Sequence, residues 1–80
     1  MPVAEDLTQF VLRDLAARRG VTSLDAHDDL LGKGIVDSLG ITELIAFLEE
    51  RYGVDVRPED IVPENFRTLA NIEAFVERRR

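Results

Sequence analysis

Apolar residues recur at helical spacing in three stretches of the chain. In the first stretch, one face of the predicted helix carries Leu7, Phe10, Val11 and Leu15. Intervals of three and four residues are typical of an amphipathic helix. Arg18 and Arg19 suit a helix C-terminus, and Gly20 can supply a left-handed cap. We therefore expect a first helix over about residues 4–19.

The second stretch carries the clearest helical pattern. Its apolar face consists of Ile41, Leu44, Ile45 and Leu48. Asp37 and Ser38 precede it, and both are residue types that cap helix N-termini well. Gly53 can end the helix. The opposite face combines small, apolar and acidic side chains, namely Leu39, Thr42, Glu43, Ala46, Glu49 and Glu50.

The rest of the chain predicts short helical turns and a last helix. Residues 57–61 predict a helical turn with Pro58 in its first position, and residues 63–66 predict another. Residues 54–56 are too few for a strand, and nothing else in the chain could pair with them. Thr68 can cap the last helix. The apolar residues of that helix are Leu69, Ile72, Phe75 and Val76.

Residues 20–37 lack a long periodicity and predict a long loop between the first two helices. They contain three of the five glycines and several aspartates. Long loops in small domains are usually either functional or disordered. Apolar side chains spread along this segment favour an ordered loop that packs on the core: Val21, Leu24, Leu30, Leu31, Ile35 and Val36.

The order of these segments predicts an all-α fold, with three main helices and a short third helix around one core. The chain has 80 residues, the length of one small domain, so we expect residues 1–80 to form a single domain. With no cysteine and one histidine, neither disulfides nor a structural metal are expected to reinforce that core.

The charge balance limits the partners. Acidic residues outnumber basic ones by 16 to 10, giving a net charge of −6. This disfavours nucleic acid, whose binding depends on Lys and Arg, and favours partners with basic patches. The arginines at 78–80 suit a helix C-terminus and solubility. No apolar run approaches the ~20 residues that cross a bilayer. We expect a cytoplasmic monomer without a membrane partner.

Ser38 stands where the long loop meets the second helix. A helix N-terminus offers free backbone N–H groups and a partial positive charge, both of which suit a phosphate ester. Asp37 beside it could bind a metal ion or a basic group of a partner. The simplest alternative is that Ser38 only caps the helix, and that the chain is an unmodified helical protein-interaction module.

A hydrolase that uses Ser38 is disfavoured. A serine nucleophile needs a neighbouring base. The only histidine, His27, lies in the loop, and no motif links it to Ser38. We therefore assign no catalytic residue and no metal ligand.

Residues 34–44, Gly-Ile-Val-Asp-Ser-Leu-Gly-Ile-Thr-Glu-Leu, resemble the modification-site motif of acyl and peptidyl carrier proteins. In that family an Asp-Ser-Leu core opens the second helix, and an acidic residue and a leucine follow, here Glu43 and Leu44. The resemblance covers nearly the whole chain, including the helix lengths, the long first loop and the turn before the last helix. It implies a four-helix bundle with a short third helix.

The resemblance also implies a function. A separate phosphopantetheinyl transferase would attach 4′-phosphopantetheine from coenzyme A to Ser38, and the thiol of this arm would hold an acyl or aminoacyl group as a thioester. Asp37 would assist the transferase near its metal ion. The chain would be a carrier and not an enzyme. Its other partners would be an adenylating or acyl-loading enzyme and downstream condensing or tailoring enzymes.

The exposed face of the second helix is the expected docking surface for these partners. Leu39 would contact them directly, and the charged residues would mainly speed and orient docking. The full set of expected docking residues is Leu39, Thr42, Glu43, Ala46, Glu49 and Glu50.

Details of the motif favour a stand-alone carrier. Two residues separate Gly34 from Asp37, and Gly40 follows Leu39. This resembles free-standing carriers such as D-alanyl carrier proteins and stand-alone aminoacyl carriers. We therefore expect a discrete carrier in a specialised pathway of the natural-product type. A polyketide or fatty acyl carrier is the alternative.

Overall fold

A computed structural model describes residues 3–79 of the chain, with side chains from residue 5 onward. Helix α1 (Val3–Phe10) continues into a π-helical turn (Val11–Leu15) and a 3₁₀ turn (Ala16–Arg19). We call this continuous run helix 1. Gly20 ends it in the left-handed conformation, with φ of 74°. The predicted first helix and its glycine cap are confirmed, although its second half departs from regular α geometry.

The second half of the chain is also helical. Helix α2 (Ser38–Tyr52) is followed by a 3₁₀ turn (Pro58–Asp60), α3 (Pro63–Phe66) and α4 (Leu69–Arg79). A proline opens each of the two short elements, because its fixed φ suits the first helical position. The all-α expectation is confirmed, and residues 3–79 contain no strand.

One apolar core holds these elements together. Its fully or nearly fully buried members come from helix 1, the long loop, α2, the segment after α2, α3 and α4: Leu7, Val11, Leu15, Ala16, Leu30, Ile35, Val36, Leu44, Leu48, Val54, Phe66, Leu69, Ile72, Phe75 and Val76. Every main helix therefore buries part of the face that its apolar spacing predicted, while Phe10, Ile41 and Ile45 of those faces are only half-buried. Within the described range, no helix has the length and apolarity that a membrane crossing requires.

The long loop between helix 1 and α2 is ordered, as its apolar residues predicted. The backbone N–H of Leu30 donates to the carbonyl of Arg67 over 2.7 Å, which ties the loop to the segment before α4. The N–H groups of Ile35 and Val36 both donate to the carbonyl of Leu30, at 3.0 and 3.1 Å. These bonds turn the chain just before α2 and bury three apolar side chains beneath it.

Asp60 joins the 3₁₀ turn to the end of α4. Its carboxylate accepts a hydrogen bond from the N–H of Arg57 at 3.0 Å and also pairs with the guanidinium of Arg79. That guanidinium also lies over the ring of Phe75, 5.1 Å from its centroid. The arginines near the C-terminus therefore do more than complement the helix dipole and aid solubility, because Arg79 anchors a buried carboxylate.

The hydrogen bond from the Arg57 N–H, supported by Arg79, lowers the pKa of Asp60 below its usual value. The stability that Asp60 contributes is therefore present above the pKa of an unfolded aspartate, about 3.9. It is lost as the pH falls through the lower folded pKa, where the carboxyl takes up a proton in the folded state as well.

We expect Asp60→Asn to lower the Tm at neutral pH by several degrees, because the buried pair with Arg79 is lost. The variant should then lose less further stability than the wild type when the pH falls below about 4. Thermal unfolding followed by circular dichroism at several pH values measures both effects. The matched control is Asp55→Asn, since the Asp55 side chain is 80% exposed. A variant with wild-type Tm and acid sensitivity would contradict the role of Asp60.

Candidate functional site

Asp37 caps the N-terminus of α2. Its Oδ1 accepts a hydrogen bond from the N–H of Gly40 over 2.7 Å, and its own backbone is extended. Ser38 is then the first helical residue and does not make the cap. A methyl group on Gly40 would lie 3.2 Å from that oxygen and 3.5 Å from Leu15 Cδ2. Glycine at this position therefore lets the cap and helix 1 approach each other closely.

Ser38 is exposed at the rim of an apolar groove. The groove has a volume of about 300 Å³ and lies between the start of α2 and the segment that leads into α3. We call it the Ser38 groove. Ile61 and Val62 on its far side are 44% and 37% exposed, so two adjacent large apolar side chains are open to solvent there. The full lining is Leu31, Val36, Asp37, Ser38, Ile41, Ile61, Val62, Pro63 and Phe66.

Two arginines from the end of helix 1 reach the start of α2. Arg19 Nη2 lies 2.9 Å from Asp37 Oδ2, and Arg18 Nη2 lies 2.6 Å from Glu43 Oε2. The hydrogen bond from the Gly40 N–H, supported by Arg19, lowers the pKa of Asp37. The hydrogen bond to Glu43 raises the pKa of Arg18. The acidic groups that flank Ser38 are therefore paired within the chain.

The sequence pattern gives no sign of this pairing. It indicates only that Arg18 and Arg19 suit the C-terminus of the first helix, where they do lie. Their partners are 25 and 18 residues further along the chain, so no local pattern connects them. Only the packing of helix 1 against α2 brings the two pairs together.

The outer face of α2 is exposed at five of its six predicted positions. Leu39 is 62% exposed, more than any other large apolar residue in the part of the chain that the structure describes. Glu43 differs from the rest of this face, because it is half-buried and paired with Arg18. Glu49 also has an internal contact, since its Oε2 accepts the N–H of Val56 at 3.1 Å. The exposed members of the predicted set are Leu39, Thr42, Ala46, Glu49 and Glu50.

A second, wider groove lies on the side of α2 that faces helix 1. Its floor is the stacked pair of Phe10 and Phe47, whose ring centroids are 4.2 Å apart. The groove has a volume of about 760 Å³, and its charged rim includes Glu50 and Arg51. Arg51 also pairs with Asp6 at 3.1 Å. This groove is open and continuous with the outer face of α2.

His27 lies exposed in a turn of the long loop. Its backbone N–H donates to Asp25 Oδ2 at 3.0 Å, and the neighbouring Asp28 pairs with Lys33. The hydrogen bond from the Asp25 N–H, supported by Lys33, lowers the pKa of Asp28. These contacts give the turn a structural role and involve none of the residues at the start of α2.

Known proteins resemble the chain over most of its length. The family model described as "Phosphopantetheine attachment site" matches residues 7–76. The acyl carrier protein of Solidesulfovibrio magneticus is 30% identical over 82 aligned positions, which cover 100% of this chain and 97% of that protein. The "Probable acyl carrier protein PigG" of Serratia sp. is 36% identical over 55 residues, and the match spans 69% of this chain but only 63% of that protein.

Two further proteins are similar. The D-alanyl carrier protein of Abiotrophia defectiva is 31% identical over 55 residues, covering 69% of this chain and 70% of that protein. A chain in the crystal structure of a FAD-dependent dehydrogenase superposes with a TM-score of 0.78 at 34% identity. That superposition covers 88% of this chain and 97% of the other.

The match over residues 7–76, the relative that aligns along the whole chain and the all-α bundle agree with one another. Carrier proteins of this kind are substrates of phosphopantetheinyl transferases and of the biosynthetic enzymes that they serve. The chain belongs to the phosphopantetheine-attachment family and is a carrier protein that bears a covalently attached 4′-phosphopantetheine.

Proposed function

We propose that Ser38 is the residue that carries the phosphopantetheine arm. The observation that supports this most directly is the exposed position of Ser38 as the first residue of α2, with Asp37 supplying the cap. The serine side chain is therefore not needed to begin the helix. The Ser38 groove and Arg19, which contacts the neighbouring Asp37, also fit a group with an apolar portion and one phosphate.

In the proposed attachment, the Ser38 hydroxyl oxygen forms a bond to the phosphorus that bears the pantetheine. The bond between the two phosphates of coenzyme A breaks, the nucleotide fragment leaves, and the hydroxyl proton passes to a base of the transferase. Asp37 assists from the adjacent position, because its side chain is half exposed and a bound transferase can approach it. Once attached, the arm supplies a thiol to a chain that has no cysteine.

We further propose that the chain itself performs no catalysis. The enzymes that load and process the cargo would supply the catalytic groups, so Ser38 needs no neighbouring base in this chain. The contacts of His27 are confined to the loop, which supports this proposal. A cytoplasmic location, a monomeric state and a single domain over residues 1–80 remain predictions.

The proposed pathway is a specialised one, with an aminoacyl group as the cargo. The similarity to the D-alanyl carrier protein supports the aminoacyl cargo, and the similarity to PigG supports the specialised pathway. The alternative is a polyketide or fatty acyl cargo, and the similarity to the acyl carrier protein of Solidesulfovibrio magneticus favours that alternative. An adenylating enzyme would load the aminoacyl cargo onto the thiol.

We propose that partners dock on the outer face of α2 next to Ser38. Leu39 offers the most exposed large apolar side chain there, and Glu49 and Glu50 supply negative charge. Thr42 and Ala46 complete the face, while the charge of Glu43 is offset by Arg18.

We also propose that one downstream partner is a flavin enzyme, which would take a hydride from the cargo. The similarity to a chain in the crystal structure of a FAD-dependent dehydrogenase supports this proposal.

The first test is attachment of the arm. We expect incubation with coenzyme A, Mg²⁺ and a broad-specificity phosphopantetheinyl transferase to add one phosphopantetheine, measured by intact mass. Ser38→Ala should abolish the addition. Ser23→Ala is the matched control, because Ser23 is the only other serine. Well-folded wild-type protein that accepts no arm would favour the helical interaction module instead.

The second test concerns docking. Leu39→Ala should lower kcat/KM for arm attachment about tenfold, as expected for a central apolar contact, without changing the Tm, because the side chain is exposed. Glu50→Gln should mainly weaken the salt dependence of the rate. Asp55→Asn changes the same charge away from α2 and should have neither effect. Wild-type rates for Leu39→Ala would exclude Leu39 from the docking surface.

The third test concerns the cargo. We expect the arm-bearing protein to accept an amino acid from an adenylating enzyme as a thioester that hydroxylamine cleaves. Intact mass before and after the cleavage identifies the group. Ser38→Ala should remain unloaded in the same reaction. Loading by fatty or polyketide acyl groups alone, with every amino acid refused, would replace the aminoacyl proposal by the alternative.

A further inference from the structure

Arg19 has a position that its role at the end of helix 1 does not explain. Its guanidinium crosses to the start of α2 and contacts Asp37 Oδ2 at 2.9 Å. Asp37 Oδ1 is occupied by the N–H of Gly40. The two carboxylate oxygens are thus divided between the helix cap and Arg19. This arrangement holds a cation beside the residue that immediately precedes Ser38.

The guanidinium of Arg19 retains capacity for another anion. An arginine has five N–H donors in a planar fork, which matches phosphate as well as carboxylate. The contact with Asp37 engages one of its Nη atoms. The Arg19 side chain is also half exposed, so its remaining donors are accessible from solvent.

Attachment of the arm changes the charge balance at this point. Before attachment, Asp37 is balanced by Arg19, and Glu43 is balanced by Arg18. A phosphodiester on Ser38 adds a negative charge next to the Asp37 carboxylate, in a chain whose net charge is already −6. Like charges at such short range repel, and a cation that contacts both of them offsets the repulsion.

We propose that Arg19 is a positioning residue for the prosthetic group: its guanidinium bridges the Asp37 carboxylate and the phosphate of the arm on Ser38. This inference rests on the proposed attachment at Ser38. The bridge restricts the motion of the phosphate and so limits the directions in which the arm leaves the helix. Arg18 has no such role, because its partner Glu43 lies five residues beyond Ser38 along α2.

The test compares the arm-bearing forms of wild type, Arg19→Gln, Arg19→Lys and Arg18→Gln by phosphorus NMR. Salt is raised from about 0.01 to about 1 M, which shortens the Debye length from about 30 to about 3 Å. The wild-type phosphorus signal should shift and narrow as the contact is screened. In Arg19→Gln it should be narrow from the start, with less than half of the salt-dependent shift. Arg19→Lys should be intermediate, because lysine keeps the charge but not the planar fork.

Arg18→Gln is the matched control and should follow the wild type. It removes the same charge from the adjacent residue, so an equal effect in both variants would show general electrostatics and overturn the bridge. A wild-type phosphorus signal in Arg19→Gln would overturn it as well. Intact mass separates this failure from that of the proposed attachment. Wild-type protein without an arm overturns both proposals, whereas an arm with an unchanged signal in Arg19→Gln overturns only the bridge.

Discussion

The hydrogen bond from the Gly40 N–H to Asp37 Oδ1, 2.7 Å long, sets the point at which α2 begins. Because Asp37 makes this cap, Ser38 becomes the first helical residue and keeps its side chain exposed. A helix that began one residue later would give Ser38 the capping role and turn its hydroxyl toward the backbone. The proposed attachment at Ser38 therefore depends on the carboxylate of Asp37, which caps the helix and is not itself modified.

The surroundings hold this cap in place from three sides. Beneath it, the loop buries Ile35 and Val36 and turns on the carbonyl of Leu30. Beside it, Gly40 leaves room for Leu15 of helix 1. Across from it, Arg19 neutralises the second carboxylate oxygen. Together these contacts fix the position of Ser38 beside the apolar groove, and the ordered loop supplies part of them.

Local patterns accounted for much of the fold. The spacing of Leu44 and Leu48, the caps at Thr68 and Gly53, and the prolines that open the short turns all predicted elements that the structure contains. The irregular second half of helix 1 was not predicted, because single π and 3₁₀ turns are too short to leave a recognisable apolar pattern of their own. The burial of Asp60 was also missed, since its partner Arg79 is 19 residues away.

The sequence by itself determined the order of the helices, the exposed face of α2 and the position of Ser38 at its start. Each of these follows from residues within a few positions of one another, where propensity and capping act. Only the tertiary structure decided that Arg18 and Arg19 pair with Glu43 and Asp37, and that the Ser38 groove opens toward α3. Those features join residues distant in the chain, and their contacts depend on how the helices pack.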